Sequence, residues 1–559
     1  MTIRKLLIAN RGEIAVRVIR TAREMGIATV AVYSDADRDA LHVQMADEAF
    51  HVGPAAPARS YLDGVKLIDR ARRSGAQAIH PGYGFLAENA AFARGVVAAG
   101  LIWIGPHADA IDAMGDKLRA RQAMRDANVP IVPGATDAVA DASAAREAAK
   151  RFGLPLALKA AAGGGGKGLK VAHSLDEIDS AYSTARREAE AYFKDGTIYA
   201  ERYLENPKHV ELQVLADKHG HVVHVGERDC SLQRRHQKLW EETPAQIPDR
   251  VRAAMREAGI RAAKAIGYDS AGTIECLVYG DEFYFLEMNT RIQVEHTVSE
   301  MISGLDLIRE QIRVAAGEPL GYAQSDIRFN GAAIEVRVNA EDPAQDFRPA
   351  PGTIAAYREP GGLGVRVDSA AYLGWRIPPE YDSLVAKLIV WAPARDGAIA
   401  RLRRAIDEYV IEGVPTTLPL LRSLCDLPTV ADATYGTATL ETFVQTWQPG
   451  IVNGVPAQRP ARATAPARPR RLAPRLTAIR RRGSSSRDNE VVSPMHGLIV
   501  EVRVAEGNAV NQGQVVAVIE AMKMMNEIRA PRDGVVTAVH VGPGSSVESG
   551  SPLIRIEGE

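Results

Sequence analysis

The C-terminal part of the chain contains one strand pattern twice, and the two copies lie a constant 37 positions apart. The offset relates Pro494 to Pro531, Gly497 to Gly534, Gly507 to Gly544, Val510 to Val547, Gly513 to Gly550 and Glu520 to Glu557. Apolar residues alternate with polar ones between these positions, and glycines stand where turns are expected. A repeated unit of this size has to bury its apolar face against its copy, so the pattern predicts two interlocked small β-layers.

Lys523 lies between the two copies, in the run Glu520-Ala521-Met522-Lys523-Met524-Met525. A tight hairpin at this junction would project the lysine into solvent, as covalent modification of its amine requires. A surface lysine between two core methionines is the alternative, but the duplication around it favours a carrier function. The segment resembles the biotinyl carrier domains of biotin-dependent carboxylases, and the resemblance implies that biotin is attached to Lys523.

Length and composition limit the other possibilities. A chain of 559 residues is long for one core, so roughly three or four domains are expected. Lys plus Arg (68) balance Asp plus Glu (69), which gives no electrostatic argument for a nucleic-acid or membrane partner. The sequence has no apolar run of signal-peptide or membrane-helix length, so we expect a soluble cytoplasmic protein. The three widely spaced cysteines predict buried apolar side chains rather than disulfides or a zinc site.

Apolar spacing divides the chain into segments. Strands near 5–9 and 28–33, with a helix between them, begin an α/β layer, and residues 1–115 are expected to form a doubly wound parallel sheet. Neither the glycine spacing of a dinucleotide fold nor a Walker loop is present. From about 205 to 446 the pattern is α+β. Residues 457–487 contain ten Arg, four Pro and no acid, which predicts an extended, solvated tether.

Polar and apolar residues alternate between Glu287 and Glu295, which predicts a strand-like run. The apolar face would then consist of Met288, Ile292 and Val294, which are expected to pack into the core. The polar face would consist of Glu287, Asn289, Arg291, Gln293 and Glu295.

A preceding strand at 273–278, joined by a turn at 279–282, is expected to place Glu275 opposite Glu287. Two carboxylates and the amide of Asn289 then converge, and hard oxygen donors of this kind suit Mg²⁺. A solvated polar face on an edge strand is the alternative, and alternation alone favours that alternative. The other motifs of the chain favour the metal site.

Glycines fill residues 163–166 and 168, a few residues after Lys159. So many glycines are costly inside a helix or strand, whereas their backbone amides can approach phosphate oxygens closely. With Lys159 and Lys167 adding charge, the segment predicts a mobile phosphate lid; a flexible linker is the alternative. Lys117 is a weaker candidate for a second phosphate contact.

Four segments carry a resemblance to a known family: residues 80–89 (HPGYGFLAEN), the glycine cluster, the charged stretch 227–242 and the alternating run 287–295. In this order they resemble biotin carboxylase over most of residues 1–446. The resemblance implies an ATP-grasp fold, in which α/β lobes and a glycine-rich lid hold ATP. The expected division is 1–115 (N-terminal α/β), 116–334 (ATP-grasp, lid about 131–205), 335–446 (C-terminal), 447–488 (Arg/Pro-rich tether) and 489–559 (all-β, lipoyl-like carrier).

The resemblance also implies roles for single residues. The expected ATP contacts are Lys117, Lys159, Gly163, Gly164, Gly165, Gly166, Glu201, His209, Gln233 and His236. The expected ligands of Mg²⁺ (or Mn²⁺) are Glu275, Glu287 and Asn289. Bicarbonate is expected to contact Lys238, Arg291, Gln293 and the backbone of Val294.

In the family's reaction the γ-phosphate of ATP activates bicarbonate as carboxyphosphate, which releases CO₂ beside the biotin ring. Glu295 is expected to be the base for bicarbonate. Arg337 is expected to stabilise the biotin enolate. Ordinary ion pairs are the alternative for both residues.

The combination resembles the α subunit of an acyl-CoA carboxylase that acts on acetyl-CoA or propionyl-CoA. The expected partners are a carboxyltransferase β subunit, a biotin protein ligase, bicarbonate and further copies of the carboxylase body. A subunit of a two-subunit pyruvate carboxylase, another ATP-grasp ligase that joins a carboxylate to an amine, and an inactive carrier scaffold are the alternatives. The arginines of the tether either meet an acidic partner surface or form a plain spacer.

Overall fold

The computed structural model describes residues 2–135, 137–161, 168–235, 237–449, 451–452, 455–456, 489–522 and 524–558. The predictions for Gly163–Gly166, His236, Lys523 and the arginine-rich tether therefore lie outside the described residues. No helix in the described part of the chain is long and apolar enough to cross a bilayer. The three cysteines are buried and unpaired by disulfides, as predicted.

The N-terminal part is a parallel five-stranded sheet in the order β3-β2-β1-β4-β5, with helices packed on it. Its strands are β1 Lys5–Ile8, β2 Ala28–Ser34, β3 Glu48–Gly53, β4 Ala78–His80 and β5 Ile102–Trp103. Its helices are α1 Gly12–Glu24, α2 Leu41–Met45, α3 Gly64–Ser74, α4 Ala90–Ala98 and α5 Ala108–Gly115. The helix predicted between the first two strands is α1, and its apolar residues Ile14, Val18, Ile19 and Ala22 are buried. This is the doubly wound arrangement that the sequence predicted.

A small antiparallel sheet follows, in the order β7-β6-β8. Its elements are α6 Lys117–Asp126, α7 Ala142–Phe152, β6 Leu156–Ala160, β7 Leu169–Ala172, α8 Ile178–Phe193 and β8 Ile198–Arg202. Helix α6 begins at Lys117, and the side chain of Asp116 caps it by accepting the amides of Leu118 and Arg119. Lys159 stands on β6.

An eight-stranded sheet forms the centre of the molecule, in the order β13-β12-β9-β10-β11-β14-β21-β19. The strands from this region are β9 Lys208–Ala216, β10 Val222–Arg234, β11 Gln237–Thr243, β12 Ala271–Tyr279, β13 Glu282–Asn289, β14 Ala332–Asn339, β15 Glu341–Asp342, β16 Arg348–Pro349, β17 Gly352–Thr353, β18 Ala356–Arg358, β19 Val365–Ser369, β20 Arg376–Ile377, β21 Leu384–Ala392 and β22 Val410–Glu412. Its helices are α9 Asp249–Ala265, α10 His296–Ser303, α11 Leu307–Ala315, α12 Arg395–Glu408, α13 Leu418–Leu424, α14 Pro428–Ala431 and α15 Thr439–Thr446. The boundary expected between the ATP-grasp and C-terminal segments, at 334/335, lies inside strand β14, so the central sheet continues across it.

The hairpin of β12 and β13 confirms one prediction and corrects another. Glu275 pairs with Glu287 in register, as predicted. Strand β13 ends at Asn289, however, so a strand-like run as far as Glu295 was wrong. Beyond it the amide of Thr290 donates to a carboxylate oxygen of Glu88 (3.0 Å), and the chain enters a loop that leads into α10.

Val294 lies in this loop and is half-buried in a cavity wall, not packed in the core as the strand interpretation required. The alternation reflects a loop that places polar side chains along a cavity and anchors Ile292 beneath it. A loop of this kind and a half-exposed strand give the same pattern over a few residues.

The C-terminal part consists of two four-stranded sheets, β25-β32-β30-β27 and β29-β28-β26-β31. The remaining strands are β23 Ile451–Val452, β24 Val455–Pro456, β25 Glu490–Val492, β26 Gly497–Val502, β27 Ala509–Val510, β28 Val515–Ala521, β29 Met524–Arg529, β30 Gly534–Val539, β31 Ser546–Val547 and β32 Pro552–Glu557. Each sheet takes strands from both sequence copies, which confirms the interlocked layers.

Two equivalent glycines show why the repeat keeps this residue. A Cβ atom on Gly497 would lie 2.5 Å from the carbonyl oxygen of Glu520, and one on Gly534 would lie 2.4 Å from that of Glu557. Both the glycines and the carbonyls are related by the sequence offset. The same close approach of two strands therefore occurs once in each half of this domain.

We expect Gly497→Ala and Gly534→Ala each to destabilise this domain by about 1–3 kcal/mol, because the neighbouring backbone has to move. Hydrogen exchange over residues 490–557 of the full chain measures the effect. Gly542→Ala is the matched control, since a Cβ there meets nothing within 4 Å, and it should change the opening free energy by less than about 1 kcal/mol. Equal effects at all three positions would contradict the packing argument.

Candidate active site

A cavity of about 760 Å³ lies where the N-terminal sheet, the β6–β8 sheet and the central sheet meet. Every predicted site residue of the body within the described ranges lines it. They are Lys117, Lys159, Glu201, His209, Gln233, Lys238, Glu275, Glu287, Asn289, Arg291, Gln293, Val294, Glu295 and Arg337. Residues that are far apart in sequence thus share one space, with charges of both signs facing it.

Lys238, on β11, is the central charge of the cavity. Its Nζ atom donates to carboxylate oxygens of Glu211 (2.6 Å), Glu275 (3.0 Å) and Glu295 (2.6 Å). Burial by itself lowers the pKa of Lys238, but these three carboxylates raise it well above its ordinary value. Lys238 is therefore a permanent cation in a position fixed by three strong hydrogen bonds.

Glu295 lies between two cations. One oxygen accepts from Lys238, and the other accepts from Nη2 of Arg337 at 3.0 Å. The Nε atom of Arg337 donates to Glu241 at 2.6 Å, which fixes the guanidinium plane. Burial alone raises the pKa of Glu295, but Lys238 and Arg337 hold it below its ordinary value. Glu295 is therefore ionised and can accept a proton.

The opposed carboxylates of Glu275 and Glu287 fit a divalent cation. Burial raises the pKa of Glu287, and the negative charge of Glu275 raises it further, so this pair is unfavourable without a positive charge beside it. Asn289 donates to Glu275 at 2.9 Å, and its amide oxygen accepts from Nη2 of Arg291 at 2.9 Å. Three hard oxygen-donor groups on one hairpin are the chemistry of a magnesium site.

A neighbouring set of ligand-type side chains does not fit a metal. His209, Glu211 and Glu275 have ligand atoms within 4.8 Å of one another. Lys238 already donates to both of these carboxylates. The lysine already supplies positive charge to this set. Among the described residues no hydrogen bond or ion pair is assigned to the side chain of Glu287, so the hairpin set that contains Glu287 is the better metal candidate.

Lys159 and Lys117 provide further positive charge in the cavity. Glu201 accepts from Lys159 with one carboxylate oxygen and from Arg121 with the other (2.7 Å for Arg121). The Glu201 side chain therefore holds Lys159 in place. His209 and Gln233 stand beside each other, with 3.4 Å between Nδ1 and Nε2. Burial lowers the pKa of Lys117.

Two residues that the sequence reasoning did not assign support predicted ones, and a third, Arg11, lines the cavity. Arg228, fully buried on β10, donates to the side-chain oxygen of Gln293 at 2.9 Å. Glu88 accepts from Nε of Arg291 at 2.8 Å, and it belongs to the 80–89 motif. Arg11 follows directly after β1 and lies over the ring of Tyr381, 4.2 Å from its centroid. Its place at the carboxyl end of a parallel strand was the available signal.

The tip of the C-terminal domain lies against this cavity. The amide of Met522 donates to the carbonyl of Pro379 at 3.0 Å, and its side chain is 4% exposed. Met522 joins the buried apolar cluster that contains Trp375 and Ile377, and it lines the cavity. Its burial therefore comes from the body of the protein, which the sequence could not indicate.

Known protein families match almost the whole of the folded chain. Four family models match: Biotin carboxylase, N-terminal domain (residues 2–111), Carbamoyl-phosphate synthase L chain, ATP binding domain (116–323), Biotin carboxylase C-terminal domain (335–442) and Biotin-requiring enzyme (489–556). Biotin carboxylase 1 of Bacillus subtilis is 53% identical over 444 residues, which cover 79% of this chain and 99% of that protein. The chain belongs to the biotin carboxylase family.

Two further relatives carry different names. A pyruvate carboxylase subunit of Methanothermobacter thermautotrophicus is 50% identical over 421 residues, 75% of this chain and 86% of that protein. The biotin carboxylase domain dimer of Hydrogenobacter thermophilus 2-oxoglutarate carboxylase was solved with MgADP, ADP and bicarbonate. It is 49% identical, with a TM-score of 0.77, and covers 80% of this chain and 100% of that one.

The family assignment confirms the predicted fold class and cofactors. The body has the ATP-grasp biotin carboxylase fold, and the C-terminal domain is a biotinyl, lipoyl-like β domain. The enzyme is an ATP- and bicarbonate-dependent biotin carboxylase with its own carrier domain, and its cofactors are biotin, ATP and Mg²⁺.

Glu13 gives the body a distinctive pH dependence. It is buried in the cavity wall at the start of α1, and burial raises its pKa from 4.5 to about 7. Between these values the folded protein binds a proton that the unfolded chain has released, so the contribution of Glu13 to stability falls as pH rises. We expect wild type to lose up to about 1.4 kcal/mol per pH unit relative to Glu13→Gln in this range.

Urea unfolding of both proteins at several pH values from 4.5 to above 7 measures this difference. The comparison with Gln cancels the other titrating groups, whose contributions are shared. Unfolding free energies that run parallel over the whole range would contradict a raised pKa at Glu13.

Proposed function

We propose that the chain carboxylates biotin on its own Lys523 and serves as the α subunit of an acyl-CoA carboxylase, with acetyl-CoA or propionyl-CoA as acceptor. In this proposal residues 1–115, 116–334 and 335–446 form the carboxylase body. Residues 447–488 are the tether and residues 489–559 the carrier. A separate carboxyltransferase β subunit receives the carboxyl group.

The contact of Met522 with Pro379 supports carboxylation of the chain's own carrier. Met522 immediately precedes Lys523, and its amide is hydrogen-bonded to the body beside the cavity. Any group carried on residue 523 therefore starts next to the cavity that contains Glu295 and Arg337. The tether allows the same domain to leave for a second site.

In the proposed mechanism, Arg291, Lys238, Gln293 and the backbone of Val294 bind bicarbonate. An anion that contacts Lys238 takes over part of its charge, which now holds the pKa of Glu295 down. The pKa of Glu295 then rises, and it becomes a better base for the bicarbonate proton. Substrate binding thus activates the base.

The other residues of the cavity hold ATP and the biotin ring. Lys117, Lys159, His209 and Gln233 bind the nucleotide. Glu275, Glu287 and Asn289 would hold Mg²⁺, which neutralises the charge of phosphate oxygens when it is bound. Arg337, fixed by Glu241, stabilises the negative charge that develops on the biotin ring.

Glu295→Gln and Arg337→Ala test these roles. Each should lower bicarbonate-dependent ATP cleavage with free biotin by a factor of at least about 100, because a base or a fixed positive charge is lost. Steady-state assays with free biotin give the rates, and circular dichroism reports on the fold. Unchanged turnover in a folded variant would remove the proposed role of that residue.

The acceptor depends on the carboxyltransferase. The relatives named above include proteins from a pyruvate carboxylase and a 2-oxoglutarate carboxylase, with similar identity over the body. A subunit of a pyruvate carboxylase is therefore the second candidate. We also propose that the body forms a homo-oligomer, as the Hydrogenobacter dimer does, and that a biotin protein ligase modifies Lys523.

Purification of the native complex identifies the acceptor. We expect the partner that co-purifies with the biotinylated chain to carboxylate acetyl-CoA or propionyl-CoA in a panel that also contains pyruvate and 2-oxoglutarate. Lys523→Arg is the control: it should remove biotin on a streptavidin blot and all acceptor carboxylation, while free-biotin carboxylation stays. Carboxylation of a 2-oxo acid alone would replace the acyl-CoA proposal.

A further inference from the structure

A fully buried lysine is hydrogen-bonded to the loop that follows β13. Lys387, on β21, is 0% exposed, and its Nζ atom donates to the carbonyl oxygen of Val294 at 2.9 Å. No role follows for Lys387 from the motifs of the sequence, and it does not line the cavity. A lysine is costly to bury unless its charge is compensated and its protons are bonded.

The charges around Lys387 provide this compensation. Glu13 of α1 has a carboxylate oxygen 3.4 Å from Nζ, and Asp368 of β19 has one at 3.9 Å. Asp368 is also paired with Arg366 at 2.7 Å. Although burial by itself lowers the pKa of Lys387, these acids raise it. The ammonium group is thus maintained where it meets the loop.

The loop has two backbone amides that fit an anion. Within the described residues no hydrogen-bond acceptor is assigned to the amide of Val294 or of Glu295. The carbonyl of Gln293 is paired with Nδ1 of His296 at 2.7 Å, and the carbonyl of Val294 is held by Lys387. In a trans peptide the N–H points away from the C=O. The N–H of Glu295 therefore lies on the side opposite Lys387, where it is a donor available to an anion.

We propose that Lys387 is a positioning residue for bicarbonate. Its hydrogen bond to the Val294 carbonyl fixes the Val294–Glu295 peptide and directs the N–H of Glu295 to the anion. It also fixes the backbone from which the Glu295 side chain extends. This inference rests on the proposed bicarbonate site. It assigns the buried cation to substrate affinity and to the placement of the base.

Lys387→Met keeps the length and apolar stem of the side chain and removes the donor. We expect the KM for bicarbonate to rise by about tenfold or more, while the KM for ATP stays within about twofold, because only one substrate meets the loop. Free-biotin assays with bicarbonate and ATP varied in turn measure both. A purely structural lysine would not separate the two KM values.

Arg395→Met is the matched control. Arg395 is a largely buried cation that pairs with Glu242 at 2.9 Å and donates to the carbonyls of Val430 and Ala431, outside the cavity. It should lower stability without separating the two KM values. If Lys387→Met behaves like this control, or leaves the KM for bicarbonate unchanged, the inference is overturned.

Two further variants remove the remaining ambiguity. If Lys387→Met does not fold, the double variant Glu13→Gln/Lys387→Met removes an opposite charge together with the lysine, and Asp368 stays paired with Arg366. We expect the same rise in the KM for bicarbonate in this variant. The absence of that rise overturns the inference. Arg291→Ala tests the proposed site itself. An unchanged KM for bicarbonate in Arg291→Ala would reject the proposed site. If this KM rises in Arg291→Ala but stays unchanged in Lys387→Met, only the role of Lys387 is rejected.

Discussion

The bonds from Lys238 to Glu211, Glu275 and Glu295 are the interaction on which the catalytic cavity depends. Buried carboxylates repel one another, and removing one partner of a buried ion pair costs about 3–5 kcal/mol. A single ammonium group on β11 lets strands β9 and β12 and the loop after β13 carry acids into the same space. It also leaves Glu295 ionised, as the proposed role of Glu295 as a base requires.

The loop after β13 is held from several sides. Glu88 binds Arg291, Arg228 binds Gln293 and Lys387 binds the carbonyl of Val294. These partners come from the N-terminal part and from both halves of the central sheet. The loop is thereby fixed in place without being part of a strand, and within the described residues its Val294 and Glu295 amides keep no assigned acceptor. Preorganisation of this kind is what a site for a small anion requires.

The carrier domain is small, yet it combines a stable core with a hairpin that contacts the body of the protein. The duplicated sheets exchange strands, so each half closes the core of the other. The hairpin between β28 and β29 then needs no core of its own, and Met522 buries its side chain against the body instead. Met522, at the end of this hairpin, therefore makes the contact with the body.

The sequence alone determined the features that depend on neighbours along the chain. The offset of the repeat predicted the two carrier layers, and the short turn after β12 predicted that Glu275 opposes Glu287, because a hairpin fixes register locally. The tertiary structure decided which partner each buried charged group has. Arg228 with Gln293, Lys387 with Val294 and Lys159 with Glu201 are separated by many residues, and no local period encodes such pairs. They form only when separate elements are buried together, since an ion far from water requires a partner wherever the fold supplies one.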